Sequence, residues 1–257
     1  MTSMFALSGG FTWLGSLVSE HLHFPHGQEV RFAHSVLVTI IILFVALLAR
    51  MALNRVPAGR EGLVPDANLK PRNLLELYTE SMLNMVRGVL GKEDADRFFP
   101  LIAGIFLYIF VSNMLGVLPG FSPPTDHVNT NLGIAVTVFL VYNIAGIRRQ
   151  GFVPYVKHLM GPVLLLAPLM FVVEAIGHLV RPLSLSVRLY GNMFGDHLVL
   201  DIFMNRLPEM VSFIMGWIIP VIFLALGMFV SLIQAFVFSL LSVMYIALAV
   251  EHSDDHH

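Results

Sequence analysis

GPVLLLAPLMFVVEAIGHLVRPLSLSVRLYGNMFGDHLVLDIFM, residues 161–204, is the stretch on which the reading of this chain turns. It is long and apolar, yet it carries Glu174, His178, Arg181, Arg188, Asn192, Asp196, His197 and Asp201. As continuous helix it would run roughly 60 Å, twice what one upright membrane crossing needs. Ionisable side chains in hydrocarbon cost about 2.5–3.5 kcal/mol each on insertion scales. Something has to offset that cost, so function is expected here.

The spacing of the polar residues is informative. Steps of 4, 3, 7, 4 and 4 link Glu174, His178, Arg181, Arg188, Asn192 and Asp196. At about 100° per residue these six fall within an arc of roughly 80° on one helix. His197 and Asp201 point well away from the middle of that arc. One face is therefore a polar stripe, and a second polar patch lies near the outer end. Gly177, Ser184, Ser186, Gly191 and Gly195 accompany the stripe, and small residues let another helix approach closely. Plainer roles exist for most of these groups. Glu174, His178 and Arg181 can pair with one another near an interface, and Asp201 can sit at the outer rim. Arg188 can snorkel to water, although apolar residues extend several turns to either side of it. Gln234 is the only strongly polar side chain between Glu209 and Glu251, and it can bond a neighbouring helix.

Around this stretch the chain is apolar throughout. Of 257 residues 56% are hydrophobic and 12% charged, against about 25% charged in an ordinary soluble domain. The mean hydropathy is +0.78. Four further apolar regions lie at about 35–53, 100–119, 132–147 and 210–250. An all-α integral membrane protein, forming a single membrane domain over 1–257, is the class that fits. The regions 161–204 and 210–250 are each either two spans joined inside the membrane or one long tilted helix. Charge arbitrates, because Lys and Arg accumulate in cytoplasmic loops. Eight basic residues, Arg50 to Arg97, lie between the first and second spans, and Arg148, Arg149 and Lys157 follow the third. Five crossings put all of these on the cytoplasmic side, with the N-terminus (an outer segment, 1–32) outside and the C-terminus inside. The two long regions are then single tilted helices.

Residues 72–90 differ from the spans. Leu74, Leu75, Tyr78, Met82, Met85, Val86 and Val89 recur at three- and four-residue spacing, with Glu76, Glu80 and Arg87 off the stripe. The pattern predicts an amphipathic helix at the cytoplasmic interface or against a partner. Residues 120–131, GFSPPTDHVNTN, read as an outer turn. The absence of cysteine excludes disulfides and thiol chemistry. No basic cluster interleaved with aromatics points to nucleic acid. The N-terminus has no basic n-region and is expected to be mature protein. His21, His23, His26, His256 and His257 are read as solvated tails, and neither metal nor cofactor is expected.

The block PLSLSVRLYGNMFGDHL, Pro182 to Leu198, strongly resembles subunit a of the F-type ATP synthase, the membrane stator beside the rotating c-ring. LYIFVSNMLGVLPGFSPPTDHVNTNL, Leu107 to Leu132, and SLIQAFVFSLLSVMYIALAVEH, Ser231 to His252, are similar to two more of its blocks in the same order. The resemblance spans about residues 35–252. It implies five crossings, one interfacial helix and two long tilted helices, 161–250, packing on the c-ring. It matches the family's essential arginine to Arg188, its nearby asparagine to Asn192, and the glutamine facing the arginine to Gln234. Glu174 matches an acidic position one leaflet away, and Asn113 a polar residue of the inlet path. The implied partners are the c-ring carboxylate, the b subunits of the peripheral stalk and the lipid bilayer. The implied location is the bacterial inner membrane. Three positions depart from the pattern: His197 where many relatives have Glu, Gly227 where its partner would stand, and Gly116 where some have Asp. The inlet is therefore expected to run through Asp196 and His197.

Such a stator translocates ions, most simply protons, through two offset half-channels and is not itself an enzyme. A carboxylate crosses lipid only when neutral. A guanidinium keeps its charge and favours the ionised form of a carboxylate brought beside it. Arg188 is then the separator, with Asn192 and Gln234 holding or hydrating it. His197, Asp196 and Asn113 line the outer pocket, and Glu174 and His178 the exit pocket. A stand-alone ion transporter is the alternative, but no inverted repeat is visible. An intramembrane hydrolase would need paired aspartates or an HExxH motif, and the chain has neither.

Overall fold

The computed structural model describes residues 28–54, 71–118, 121, 123–159, 167–205 and 218–251. Every regular element among them is helical. Four helical runs are long and apolar enough to cross a membrane, and a shorter apolar helix spans Ala33–Leu48. The chain is thus an all-α membrane protein, as its composition requires. In hydrocarbon only a helix or a closed barrel satisfies every backbone group within itself. Two compact units, 1–124 and 125–257, are described in turn.

In the first unit, helix α1 (Gln28–Asn54) exposes Ile40, Leu43, Phe44 and Leu47, side chains suited to lipid. It buries Val38 and His34, and the His34 ring meets Phe121 edge-on at 6.1 Å. The helical run Pro71–Val117 is broken at Gly91, whose φ of 76° is left-handed and open to glycine at little cost. The arms on either side are α2 (71–90) and α3 (92–117). Tyr78 donates its hydroxyl to the Ala103 carbonyl at 2.7 Å and packs on Phe106, so α2 folds back along α3. The stripe at Tyr78, Met82 and Val86 faces inward, with Met82 and Val86 buried, while Leu74 remains exposed. The amphipathic helix expected at 72–90 is present, and α3 is a surface it packs on. Arg87 bonds Asp96 at 3.0 Å across the bend. Both side chains are largely exposed, so the pair adds little.

The second unit contains α4 (Val128–Gln150), α5 (Phe152–Leu159), α6 (Ala167–Asn205) and α7 (Ile218–Glu251). The turn expected over 120–131 is shorter, because α4 already begins at Val128. Asn131, buried in its first turn, donates to the Thr125 carbonyl at 2.8 Å. At the other end Arg148 and Arg149 complement the helix dipole. Gly151 at φ 86° ends the helix, its N–H on the Ile147 carbonyl at 2.8 Å. The two long apolar regions are each one helix over their described residues, 39 and 34 residues long, rather than pairs of short spans.

Two contacts on each side fix how these helices cross. Arg181 stands over the Tyr245 ring, and Asn192 bonds Gln234, so eleven residues of α6 run alongside eleven of α7. The two form an antiparallel pair in constant register. Against α4 the ratio differs. His178 meets Tyr142 and Ser186 meets the Val128 carbonyl, so about 12 Å of α6 covers about 21 Å of α4. Helix α6 therefore also runs antiparallel to α4. The ends of α4, α5 and α7 are held close at Gly146, where a Cβ would lie 2.7 Å from the Tyr155 ring and 3.2 Å from the Ala249 carbonyl. Gln150 also donates to that carbonyl at 3.0 Å.

Candidate functional site

The polar stripe of α6 divides into two clusters in the structure. The first joins Glu174, His178 and Arg181 to α4 and α7. Arg181 reaches Glu174 Oε1 at 3.5 Å, and His178 Nε2 lies 3.6 Å from the same oxygen. His178 Nδ1 is 3.2 Å from the Tyr142 hydroxyl. The Tyr142 ring lies 5.8 Å from the imidazole and 6.1 Å from the Tyr245 ring. The Arg181 guanidinium sits 5.6 Å above Tyr245, within cation–π range. One carboxylate contact and an aromatic face thus account for Arg181. The mutual pairing open to Glu174, His178 and Arg181 is what these residues do here. At the rim, Tyr155 of α5 donates to Asn143 Oδ1 at 2.8 Å, and burial raises its phenol above the ordinary tyrosine range.

The second cluster lies about two to three turns further along α6. Asn192 Nδ2 donates to Gln234 Oε1 on α7. Gln234 is 3% exposed, and its Nε2 is buried without a hydrogen-bond partner among the described residues. The resemblance set Gln234 opposite the arginine, and its bond here is to Asn192. Arg188 itself is exposed and, among the described residues, makes no hydrogen bond or ion pair. On the α6–α7 register it falls level with Phe238. Leu183, Val187 and Phe194 of α6 are exposed nearby, as are Asn192 of α6 and Leu232, Ile233 and Phe236 of α7. Ser184 and Gly191 beside it are exposed, and a Cβ on Gly191 would meet nothing within 4 Å. Ser186, another of the small neighbours, instead turns inward to bond α4.

The remaining candidates are placed less completely. Asp196 and His197 are in α6, and their side chains lie outside the described ones, as does that of Asp201. Gly227 is buried on α7. Asn113 belongs to the first unit, where it and Ser112 are buried on α3. No group of three or more metal-ligating side chains occurs among the described residues. Tyr142 and Tyr245 were missed by sequence reasoning, since a lone tyrosine in an apolar span gives no periodic signal.

The model of the ATP synthase A chain matches residues 32–247, most of the chain. The chain belongs to the ATP synthase subunit a family. A relative from Geobacter sulfurreducens, ATP synthase subunit a, is 42% identical over 91% of this chain and 93% of its own length. The subunit a of Bdellovibrio bacteriovorus is 40% identical over 85% of this chain and 89% of its own. That of Campylobacter fetus subsp. fetus is 41% identical over 93% and 98%. Membership of the subunit a family makes the chain a non-catalytic membrane-sector component of an ATP synthase. The match covers both clusters of α6 and the facing segment of α7.

Proposed function

We propose that the chain translocates ions, most simply protons, as the stator of a rotary ATP synthase. On this reading Arg188 separates two offset half-channels beside a c-ring. The observation that carries it is an exposed guanidinium within an apolar span, with no counter-charge among the described residues. A charge so placed in lipid is costly, and a carboxylate from another chain would compensate it. As a neutral rotor carboxylate arrives beside Arg188, the guanidinium favours its ionised form and the proton leaves. The positive charge also opposes direct proton passage between the pockets. Asn192, tied to Gln234, stands one turn away, where its exposed amide can hydrate or hold the guanidinium.

Glu174 and His178 lie about 15–21 Å from Arg188 along the helix and line the exit pocket. Asn113, Asp196 and His197 serve the outer pocket. The basic loops set the exit on the cytoplasmic side, with five crossings of a bacterial inner membrane, the N-terminus outside and the C-terminus inside. The c-ring and the b subunits of the peripheral stalk are the partners. Replacing Arg188 by Ala in the complete enzyme tests this reading. ATP-driven proton pumping into inverted vesicles should vanish while the complex still assembles, and unimpaired pumping would overturn the assignment.

A further inference from the structure

The exit cluster contains a buried phenol that the mechanism above leaves unused. Tyr142 is 1% exposed, yet its hydroxyl lies 3.2 Å from His178 Nδ1. On the opposite edge of the imidazole, Nε2 is 3.6 Å from Glu174. The three groups form a line that opens steadily. Tyr142 is fully buried, the His178 side chain is 16% exposed and that of Glu174 45%. Arg181 stands beside the same Glu174 oxygen, and its guanidinium also acts on the Tyr142 phenol. A cation near the phenol oxygen turns the O–H away from itself, and Nδ1 of His178 is an acceptor within hydrogen-bond reach.

We propose that Tyr142 is a positioning residue that fixes the tautomer of His178, keeping its proton on Nε2 and aimed at Glu174. The inference rests on the exit-pocket reading and deepens it. A neutral imidazole has one N–H and one bare nitrogen, and the hydrogen bond made at one determines which is protonated. With Nδ1 accepting from the phenol, Nε2–H can donate only toward the carboxylate. The direction of this line of polar groups, from the protein interior to the partly exposed Glu174, is then set by a residue on a different helix. Phe139 and Tyr245 pack the Tyr142 ring on other sides, at 5.4 and 6.1 Å between centroids, and so hold the phenol in place. The titratable and charged groups around His178 are Glu174 and Arg181 on α6 and Tyr142 on α4. Behind Tyr142 come Tyr245 on α7 and Tyr155 on α5.

The test uses the complete enzyme carrying Tyr142→Phe, which keeps the ring and its packing and removes only the hydroxyl. Nitrogen-15 NMR of labelled histidine should show His178 of the unmodified protein as the Nε2–H tautomer and that of the variant as a mixture. The pH midpoint of ATP-driven pumping should move by about half a unit or more. An Nδ1–H tautomer in the unmodified protein overturns the proposal whether or not the variant assembles. So does a variant with unchanged tautomer and pH profile. His178→Gln separates the two levels. If His178→Gln alters the profile and Tyr142→Phe does not, the tautomer role fails and the exit pocket stands. If His178→Gln pumps with the unmodified profile, the exit-pocket reading fails and takes this inference with it.

Discussion

Arg181 and Arg188 stand two helical turns apart on one face of α6, and the fold treats them oppositely. Arg181 is drawn inward, with Glu174 at 3.5 Å and the Tyr245 ring beneath it. Arg188 is left on the outer face, with no bonded or charged partner among the described residues. Both charges have the same chemistry and nearly the same helical phase. What differs is the facing helix. At Arg181 the α6–α7 register supplies the Tyr245 ring within cation–π range, whereas level with Arg188 it supplies Phe238, whose ring is buried away from the outer face. A charge compensated within its own chain belongs to the architecture, and one left uncompensated in an apolar span calls for a partner from outside.

The sharpest way to break this comparison is to truncate each arginine in turn. Arg188→Ala should lower ATP-driven pumping by about 100-fold or more, as removing a preorganised electrostatic group does, with assembly unchanged. Arg181→Ala should leave pumping measurable and act mainly on stability. Equal losses in a vesicle acidification assay would show that the two arginines are not functionally distinct. Next in size, Gly146→Ala should destabilise the second unit by about 1–3 kcal/mol, because the new methyl collides with Tyr155. A thermal scan of the purified complex reads this directly. Asn192→Ala removes the donor to a buried amide oxygen and should cost about 1–3 kcal/mol. It should also slow pumping more than Arg181→Ala does, since Asn192 is the neighbour of the uncompensated charge.

A double-mutant cycle on Glu174 and Arg181 sharpens the other half of the contrast. Glu174→Gln and Arg181→Ala should be coupled by about 0.2–1 kcal/mol in thermal stability, the range for a partly exposed pair. A cycle pairing Glu174→Gln with Arg188→Ala should show none, because more than 20 Å of helix separates them. The smallest effect is expected at Asp96→Ala, within about 1 kcal/mol, since Arg87 and Asp96 are both largely exposed.

Much of this was legible in the sequence for one physical reason. A membrane span must carry its own backbone hydrogen bonds, so apolar length reads directly as helix. The continuous α6 and α7 and the amphipathic α2 all follow from length and periodicity. The six-residue stripe on α6 was likewise a consequence of helical geometry. The break at Gly91 was not legible, because a glycine followed by charges is common in helices and turns alike. Nor was the split of the stripe into two clusters, since periodicity gives the face of a residue and not what stands opposite it. Tyr142 shows this most clearly: nothing in LVYNIAG marks it as the partner of a histidine 36 residues later.

The sequence by itself determined that this is a helical membrane protein, that Arg188 lies on a polar face, and which family it belongs to. Those are properties of composition, period and motif, and they need no knowledge of neighbours. Only the tertiary structure decided which arginine is compensated and which is left outward. That outcome depends on how α6 packs along α4 and on the constant register of α6 with α7. Both follow from contacts between residues far apart in sequence, such as Asn192 with Gln234 and His178 with Tyr142.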